Sequence, residues 1–331
     1  MSIGEVELNP SDNLWPESLP EPTFVVTARY PENINNPNQD AMRWVKEPDS
    51  IAEFLSDEAH NTGGNSPGMV EFFTEAGASE IASVVKRLAD KNHTIVAQGA
   101  RTSITGAVVP KGEVVLNFSR QKKLETYETE YGHFATVQPG VTIEELQNSL
   151  GRDGLFFPPA PTYDQASVIG SISTNASGAR GYKYGSVRSF VEGLKVVLAS
   201  GEVLEIERGQ YVANAGDKES PAGYFLLQRE SGEERRIPVP EYKMPDIPKI
   251  SADYYARPDM DLIDLFIGSE GTLGVIAEAT VRAQKEPPTY MAMVKCYSDD
   301  DCLELMYDLR SQEPEKRETL EPGGISVPLH I

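Results

Sequence analysis

Positive charge is scarce in this chain. Lys and Arg number 30 against 51 Asp and Glu, a net charge of −21. That balance excludes nucleic acid as a main partner, because a phosphate backbone needs a basic footprint. It also disfavours anionic membrane surfaces. Cysteine is nearly absent: Cys296 and Cys302 are too few for a disulfide framework and form no C-x-x-C pair, which fits a reducing compartment. Long apolar runs are missing too. Leu194-Lys195-Val196-Val197-Leu198-Ala199 is short and interrupted, far below the ~20 residues that cross a bilayer, so no integral membrane segment is expected. Met1 to Tyr30 has no apolar run and its first positive charge is Arg29, unlike an ordinary signal peptide. A soluble, cytoplasmic protein is the expectation. The four histidines, His60, His93, His133 and His330, show no metal-ligand spacing; His93 and His133 read as surface or strand-edge residues. Hydrophobic residues make up 39%, below the usual share of about 45–50%. They are spread through the middle, so the chain reads as a folded core with polar ends and insertions.

A length of 331 residues leaves room for two domains, taking about 150 residues for each. Residues 1–66 read as an N-terminal extension broken by Pro16, Pro20, Pro22, Pro31, Pro37 and Pro48. One short helix is expected there at Asp49–Ala59, and the first boundary at Gly63–Gly68. A regular pattern follows. Strand Val70–Phe73, amphipathic helix Ser79–Lys91 and strand Thr94–Ala97 make a β-α-β unit, with Asn92 as the helix stop. Strands are expected at Val114–Phe118 and Phe134–Gln138. Thr142 and Glu145 spell a capping box before a helix buried through Ile143, Leu146 and Leu150 and ended by Gly151 and Gly154. Leu194–Ala199 and Glu202–Glu207 read as a hairpin around Ser200-Gly201. Tyr211–Met260, charged and Pro-rich, is expected to be an insertion. Leu262–Ile267 and Val275–Val281 read as two strands or a helix-strand pair. Pro287-Pro288 marks a second boundary. A strand at Tyr290–Tyr297 and a helix at about Cys302–Arg310, with Asp299-Asp300-Asp301 supplying an N-cap and a negative first turn, are expected beyond it. The expected divisions are 67–286, with subdomains of about 67–119 and 120–286 and the insertion at 211–260, and then 287–331.

Three Gly-rich stretches carry the chemistry. Gln98-Gly99-Ala100-Arg101-Thr102-Ser103-Ile104-Thr105-Gly106 follows a strand directly. Gly170 to Gly181 and Gly268-Ser269-Glu270-Gly271-Thr272-Leu273-Gly274 are the others. Glycine lets a backbone approach a ligand and aim successive N–H groups at one anion, and the Ser and Thr hydroxyls add donors. A diphosphate is held this way without many lysines. The G-x-G-x-x-G dinucleotide fingerprint and the G-x-x-x-x-G-K-[ST] phosphate loop are both absent, so nothing points to a nicotinamide dehydrogenase or to ATP hydrolysis.

Ile95-Val96-Ala97-Gln98-Gly99-Ala100-Arg101-Thr102-Ser103 resembles the pyrophosphate loop of the vanillyl-alcohol oxidase / p-cresol methylhydroxylase (PCMH) flavoproteins. Gly154-Leu155-Phe156-Phe157-Pro158-Pro159-Ala160-Pro161 resembles the G-L-x-x-P-P-x-P of the branch holding glycolate oxidase flavin subunits, D-lactate dehydrogenases and alkyldihydroxyacetonephosphate synthase. Asn175-Ala176-Ser177-Gly178, followed by Lys183-Tyr184-Gly185, is similar to its N-A-x-G. Leu265-Phe266-Ile267-Gly268-Ser269-Glu270-Gly271-Thr272-Leu273-Gly274 is similar to its L-F-x-G-S-E-G-T-L-G, the most specific of the set. The resemblance covers Gly68 to Pro287, with the motifs in the family's order.

The resemblance implies an α+β fold: a PCMH-type FAD-binding domain of two α+β subdomains with non-covalent FAD between them, followed by the start of a cap domain. Ala97, Gln98, Gly99, Ala100, Arg101, Thr102 and Ser103 would wrap the pyrophosphate. Pro161, Thr162, Ser167, Gly170, Thr174, Asn175, Ala176, Ser177 and Gly178 would line the isoalloxazine and ribityl chain. Glu270, Gly271, Thr272, Leu273, Gly274, Val275 and Ile276 would complete the site towards the adenine. Arg101 stands where the family usually has glycine. Its guanidinium either pairs with the pyrophosphate or points outward with only its backbone N–H in use, and the second is favoured because the loop must stay close to the ligand.

The implied chemistry is hydride removal from a small 2-hydroxy acid of the D-lactate or glycolate type to flavin N5. A non-catalytic FAD-binding subunit of a larger complex and a redox-neutral flavoenzyme like alkyldihydroxyacetonephosphate synthase are the alternatives. No catalytic base and no metal ligand are assigned, since the cap that carries them in the family is not matched. The residues after Pro288 are expected to be too few for a closed cap, making the chain a fragment or a subunit whose cap, or whose electron acceptor, comes from a partner.

Overall fold

The structure is a computed structural model and describes residues 41–59, 64–159, 161–228, 234–247, 249–288 and 293–311. His60, His330 and most of the Pro-rich N-terminal stretch lie outside these residues.

Two sheets organise the chain. The first takes β1 (Met42–Val45), β2 (Met69–Phe72), β3 (Ile95–Gln98) and β4 (Val114–Asn117) in the order β1-β2-β4-β3. Strands β2 and β3 each run parallel to β4, and β1 is antiparallel to β2. The expected β-α-β unit therefore has a third strand between its two strands. Crossover α2 (Ala78–Ala89) covers the sheet with Ile81, Val84, Val85 and Leu88, all buried at helical spacing. Asn92 stops it in the left-handed region at φ 56°. Phe72 stacks on Phe118 at 4.8 Å in the same core. The expected helix at 49–59 is a single turn, α1 (Pro48–Ile51), continued as a 3-10 turn at Ala52–Leu55. Val45, Ile51 and Phe54 pack with Met69 and Val115. Residues 41–55 thus share a sheet and a core with the segment beyond residue 66.

The second sheet is antiparallel and centred on β12 (Val275–Lys285). It runs β5 (Leu124–Thr129), β6 (Gly132–Val137), β12, β8 (Val191–Val197), β9 (Val203–Glu207), with β7 (Leu155–Phe156) paired to the end of β12. Strand β5 has no apolar alternation to reveal it, being an edge strand with only Leu124 partly buried. The capping box forms as expected. Thr142 N–H donates to Glu145 Oε2 at 2.8 Å and Glu145 N–H to Thr142 Oγ1 at 3.2 Å, opening α3 (Ile143–Gly151). The β8–β9 hairpin also forms, turning at Gly201 with φ 82°.

The stretch from Tyr211 to Met260 contains a hairpin of its own, β10 (Tyr224–Gln228) with β11 (Glu234–Pro238). Phe225, Ile237, Val239, Ala256 and Met260 from this stretch are buried in the main core. The alternatives left open at Leu262–Ile267 resolve to a helical turn, α6 (Ile263–Phe266), before β12.

Three expectations are corrected. The second Gly-rich stretch is partly helical: Gly170 to Ser173 belong to α4 (Val168–Ser173), and Gly181 opens α5 (Gly181–Tyr184). Met293 to Tyr297 form no strand with any described residue, and Met293 and Tyr297 face solvent, while residues 290–292 lie outside the described residues. The last helix, α7 (Asp299–Ser311), is capped by Ser298, whose Oγ accepts from Asp301 N–H at 3.1 Å. The aspartates fill its first turn, as expected, where negative charge suits the helix dipole.

Candidate functional site

The first loop leaves β3 at Gln98. The backbone N–H groups of five successive half-buried residues, Gly99 to Ser103, donate to no acceptor among the described residues. Such a run, opened by glycine directly after a parallel strand, can turn several N–H groups toward one anion. Gln98 Nε2 donates to Phe54 O at 2.7 Å and Val108 O at 2.8 Å, tying the start of the loop to both segments. Arg101 adopts φ 58°. The guanidinium lies 4.5 Å from the Phe54 ring centroid, donates to Glu53 O and reaches the Glu53 carboxylate at 4.0 Å. The guanidinium is thus engaged by Glu53 and Phe54.

Gly99 binds this loop to the second. A Cβ there would lie 2.5 Å from Ser167 Oγ, so only glycine permits the approach. Ser167 caps α4, its Oγ accepting from Gly170 N–H at 3.1 Å. At the far end of α4, Thr174 bonds back to Gly170 O, and Asn175 sits 2% exposed at φ 47°. Asn175 Nδ2 donates to Ile250 O at 3.1 Å, while its Oδ1 has no partner.

The third loop lies against the second. Gly268 N–H donates to Ile172 O at 3.0 Å and Glu270 N–H to Ser173 O at 2.9 Å. Glu270 has φ 52°. Each loop therefore holds one non-glycine residue in the left-handed region: Arg101, Asn175 and Glu270. Such residues cost roughly 1–3 kcal/mol each and gather where a ligand must be met. Behind the third loop, Asp264 Oδ1 accepts from Arg188 and Arg208, each at 3.2 Å, and Arg188 also donates to Ile267 O at 2.6 Å. Burial pushes the Arg188 guanidinium below its ordinary value, and the Asp264 charge opposes that shift.

Not every expected residue faces this junction. Pro161 and Thr162 line a cavity of about 550 Å³ beside the second loop, with Phe156, Arg180 and Glu286 on its other sides. Arg180 lies 4.9 Å from the Phe156 ring centroid. Val275 and Ile276 are taken up in β12, paired with β8, and Leu273 packs against the core. Sequence reasoning missed Lys249, Tyr254, Arg180 and Glu286. Lys249 Nζ donates to Ser177 Oγ at 3.1 Å, and Tyr254 OH lies 2.7 Å from Thr272 Oγ1. Both sit in the Pro-rich stretch, where no periodicity or motif marked them.

A parallel-sheet loop of unpaired N–H donors, joined through one short helix to two strained Gly-rich loops, defines a domain that binds a phosphate-bearing cofactor. Comparison with known proteins makes this specific. Residues 73–207 match the family described as FAD binding domain. The chain is 29% identical to a D-lactate dehydrogenase of Anaerostipes hadrus over 277 residues, 82% of this chain and 48% of that protein. It is 31% identical to the glycolate oxidase subunit GlcD of Bacillus subtilis over 224 residues, 67% and 38% of the two chains. A D-2-hydroxyglutarate dehydrogenase of Xanthomonas citri is 30% identical over 239 residues, 72% and 40%. Among solved structures, an alkyldihydroxyacetonephosphate synthase shares the fold, with a TM-score of 0.53 and 17% identity over 76% of this chain and 42% of that one. The match places an FAD binding domain at residues 73–207, and FAD is its cofactor. It spans about half the length, or less, of these relatives.

Proposed function

We propose that this chain holds FAD non-covalently across the three loops and forms the flavin-binding part of an oxidoreductase acting on a small 2-hydroxy acid. The run of unpaired donors from Gly99 to Ser103 carries the reading, because it fits the diphosphate of FAD. Ser167, Thr174, Asn175, Ser177 and Gly178 form the wall beside the ribityl chain and ring, and the loop from Glu270 to Gly274 closes the site. The flavin, when bound, accepts the hydride from the carbon that bears the hydroxyl; the chain orients the ring and keeps the loops around it. The substrate class rests on the relatives, which are named for D-lactate, glycolate and D-2-hydroxyglutarate. A partner that supplies further substrate contacts or accepts the electrons belongs to the same reading.

Incubation with FAD followed by desalting tests the first half. The expected product is yellow, with absorption in the blue and near-ultraviolet, and acid releases free FAD. A protein that stays colourless overturns the reading, and flavin retained after acid precipitation overturns non-covalent binding. Anaerobic bleaching by D-2-hydroxy acids is expected to be weak or absent for this chain alone, and rapid bleaching overturns the expectation of an incomplete cap; bleaching by simple alcohols alone overturns the substrate class.

A further inference from the structure

The stretch from Tyr211 to Met260 touches the two loops at the heart of the site at three points. Lys249 Nζ donates to Ser177 Oγ at 3.1 Å, Ile250 O accepts from Asn175 Nδ2 at 3.1 Å, and Tyr254 OH meets Thr272 Oγ1 at 2.7 Å. Tyr254 is held in turn by Tyr242, whose hydroxyl donates to Tyr254 O. Asp253 stands in the left-handed region at φ 60°. Four of the five such non-glycine residues in the described chain, Arg101, Asn175, Asp253 and Glu270, thus lie in the three loops or in this stretch. The fifth, Asn92, is a helix stop.

Lys249 is exposed, and exposed lysines are ordinarily solvated. This one forms no ion pair with a described carboxylate, although the chain has a large acidic excess. It is hydrogen-bonded instead to a hydroxyl in a loop expected to line the flavin ring. A serine oxygen that accepts from an ammonium must give its own proton in another direction.

We propose that residues 249–254 are a fourth wall of the flavin site and that Lys249 is a positioning residue. Its ammonium holds Ser177 Oγ so that the serine hydroxyl is left to donate to the ligand, and its charge is brought beside the ring. Ile250 and Tyr254 bind the second loop and the third into one unit. The proposal rests on the flavin reading above.

The test uses the full chain and the variants Lys249→Met and Lys249→Arg, read by FAD titration, by the reduction potential of the bound flavin and by thermal unfolding without FAD. Lys249→Met is expected to weaken FAD about tenfold, as the loss of the hydrogen bond that the Ser177 hydroxyl would donate to the ligand implies, to make the potential more negative, and to leave apo unfolding unchanged. Lys249→Arg is expected to restore most of both flavin readouts. Lys249→Met with unchanged affinity and potential overturns the proposal. So does a change in affinity that follows apo stability and is not rescued by arginine. A wild-type chain that takes up no FAD overturns the flavin reading itself, which separates the two failures.

Discussion

At the scale of one residue, Arg101 shows how a site tolerates an unfavourable side chain. Its left-handed backbone costs roughly 1–2 kcal/mol for a residue with a Cβ. The guanidinium offsets part of this by lying over Phe54 and bonding to Glu53, a stacked contact worth about 0.5–1 kcal/mol when exposed. Arg101→Gly is therefore expected to fall within ~1 kcal/mol of the parent in urea unfolding, with FAD affinity kept, because the guanidinium is already engaged by Glu53 and Phe54. Arg101→Val places a β-branched residue at φ 58° and is expected to cost ~2 kcal/mol and to weaken FAD binding. Equal behaviour of the two variants would show that the backbone angle is not what matters. The motif places Arg101 in the loop, but only the packing of Phe54 decides where its side chain goes, because Phe54 lies 47 residues earlier on another element.

At the scale of elements, the third loop is held from behind by charge. Asp264 is 7% exposed and accepts from two arginines that come from the turn before β8 and the end of β9. Removing it leaves Arg188, itself mostly buried, without its counter-charge. Asp264→Ala is expected to cost ~3–5 kcal/mol, measured as a lower urea midpoint, because a buried charge left unpaired is penalised heavily. A loss below ~1 kcal/mol would mean that water replaces the carboxylate. Helices α2 and α3 and most strands were legible because their apolar spacing is local: Ile81, Val84, Val85 and Leu88, or Ile143, Leu146 and Leu150. Strand β5 and the β10–β11 hairpin were not. The first is an edge strand with one solvated face, and the second draws its stability from Phe225 and Ile237 inserting into a core built by distant residues.

At the scale of the whole molecule, helix α2 serves both sheets. Val197 and Ala277 from the second sheet join its core, and the tip of the β8–β9 hairpin touches it directly. A Cβ on Gly201 would lie 2.6 Å from Lys86 Cβ, at φ 82°. Gly154, at φ 67°, has nothing within 4 Å and makes a control. Gly154→Ala is expected to cost ~1 kcal/mol, the backbone penalty alone. Gly201→Ala is expected to cost at least ~1 kcal/mol more, since hairpin and helix must part. Equal losses in denaturant unfolding would show that the hairpin tip does not bear on α2.

The sequence by itself determined the class of fold, the cofactor and the three loops that bear on it. Each of these is written in a short contiguous string: a strand followed by Gly99-Ala100-Arg101-Thr102-Ser103, an N-A-x-G stretch, and the run from Gly268 to Gly274. Only the tertiary structure decided how the loops meet, which way Arg101 turns, that residues 41–55 support the first loop, and that Lys249 and Tyr254 reach the other two. Those contacts join residues far apart in the chain. Their strength lies in burial and hydrogen-bond geometry created by packing, which no local pattern records.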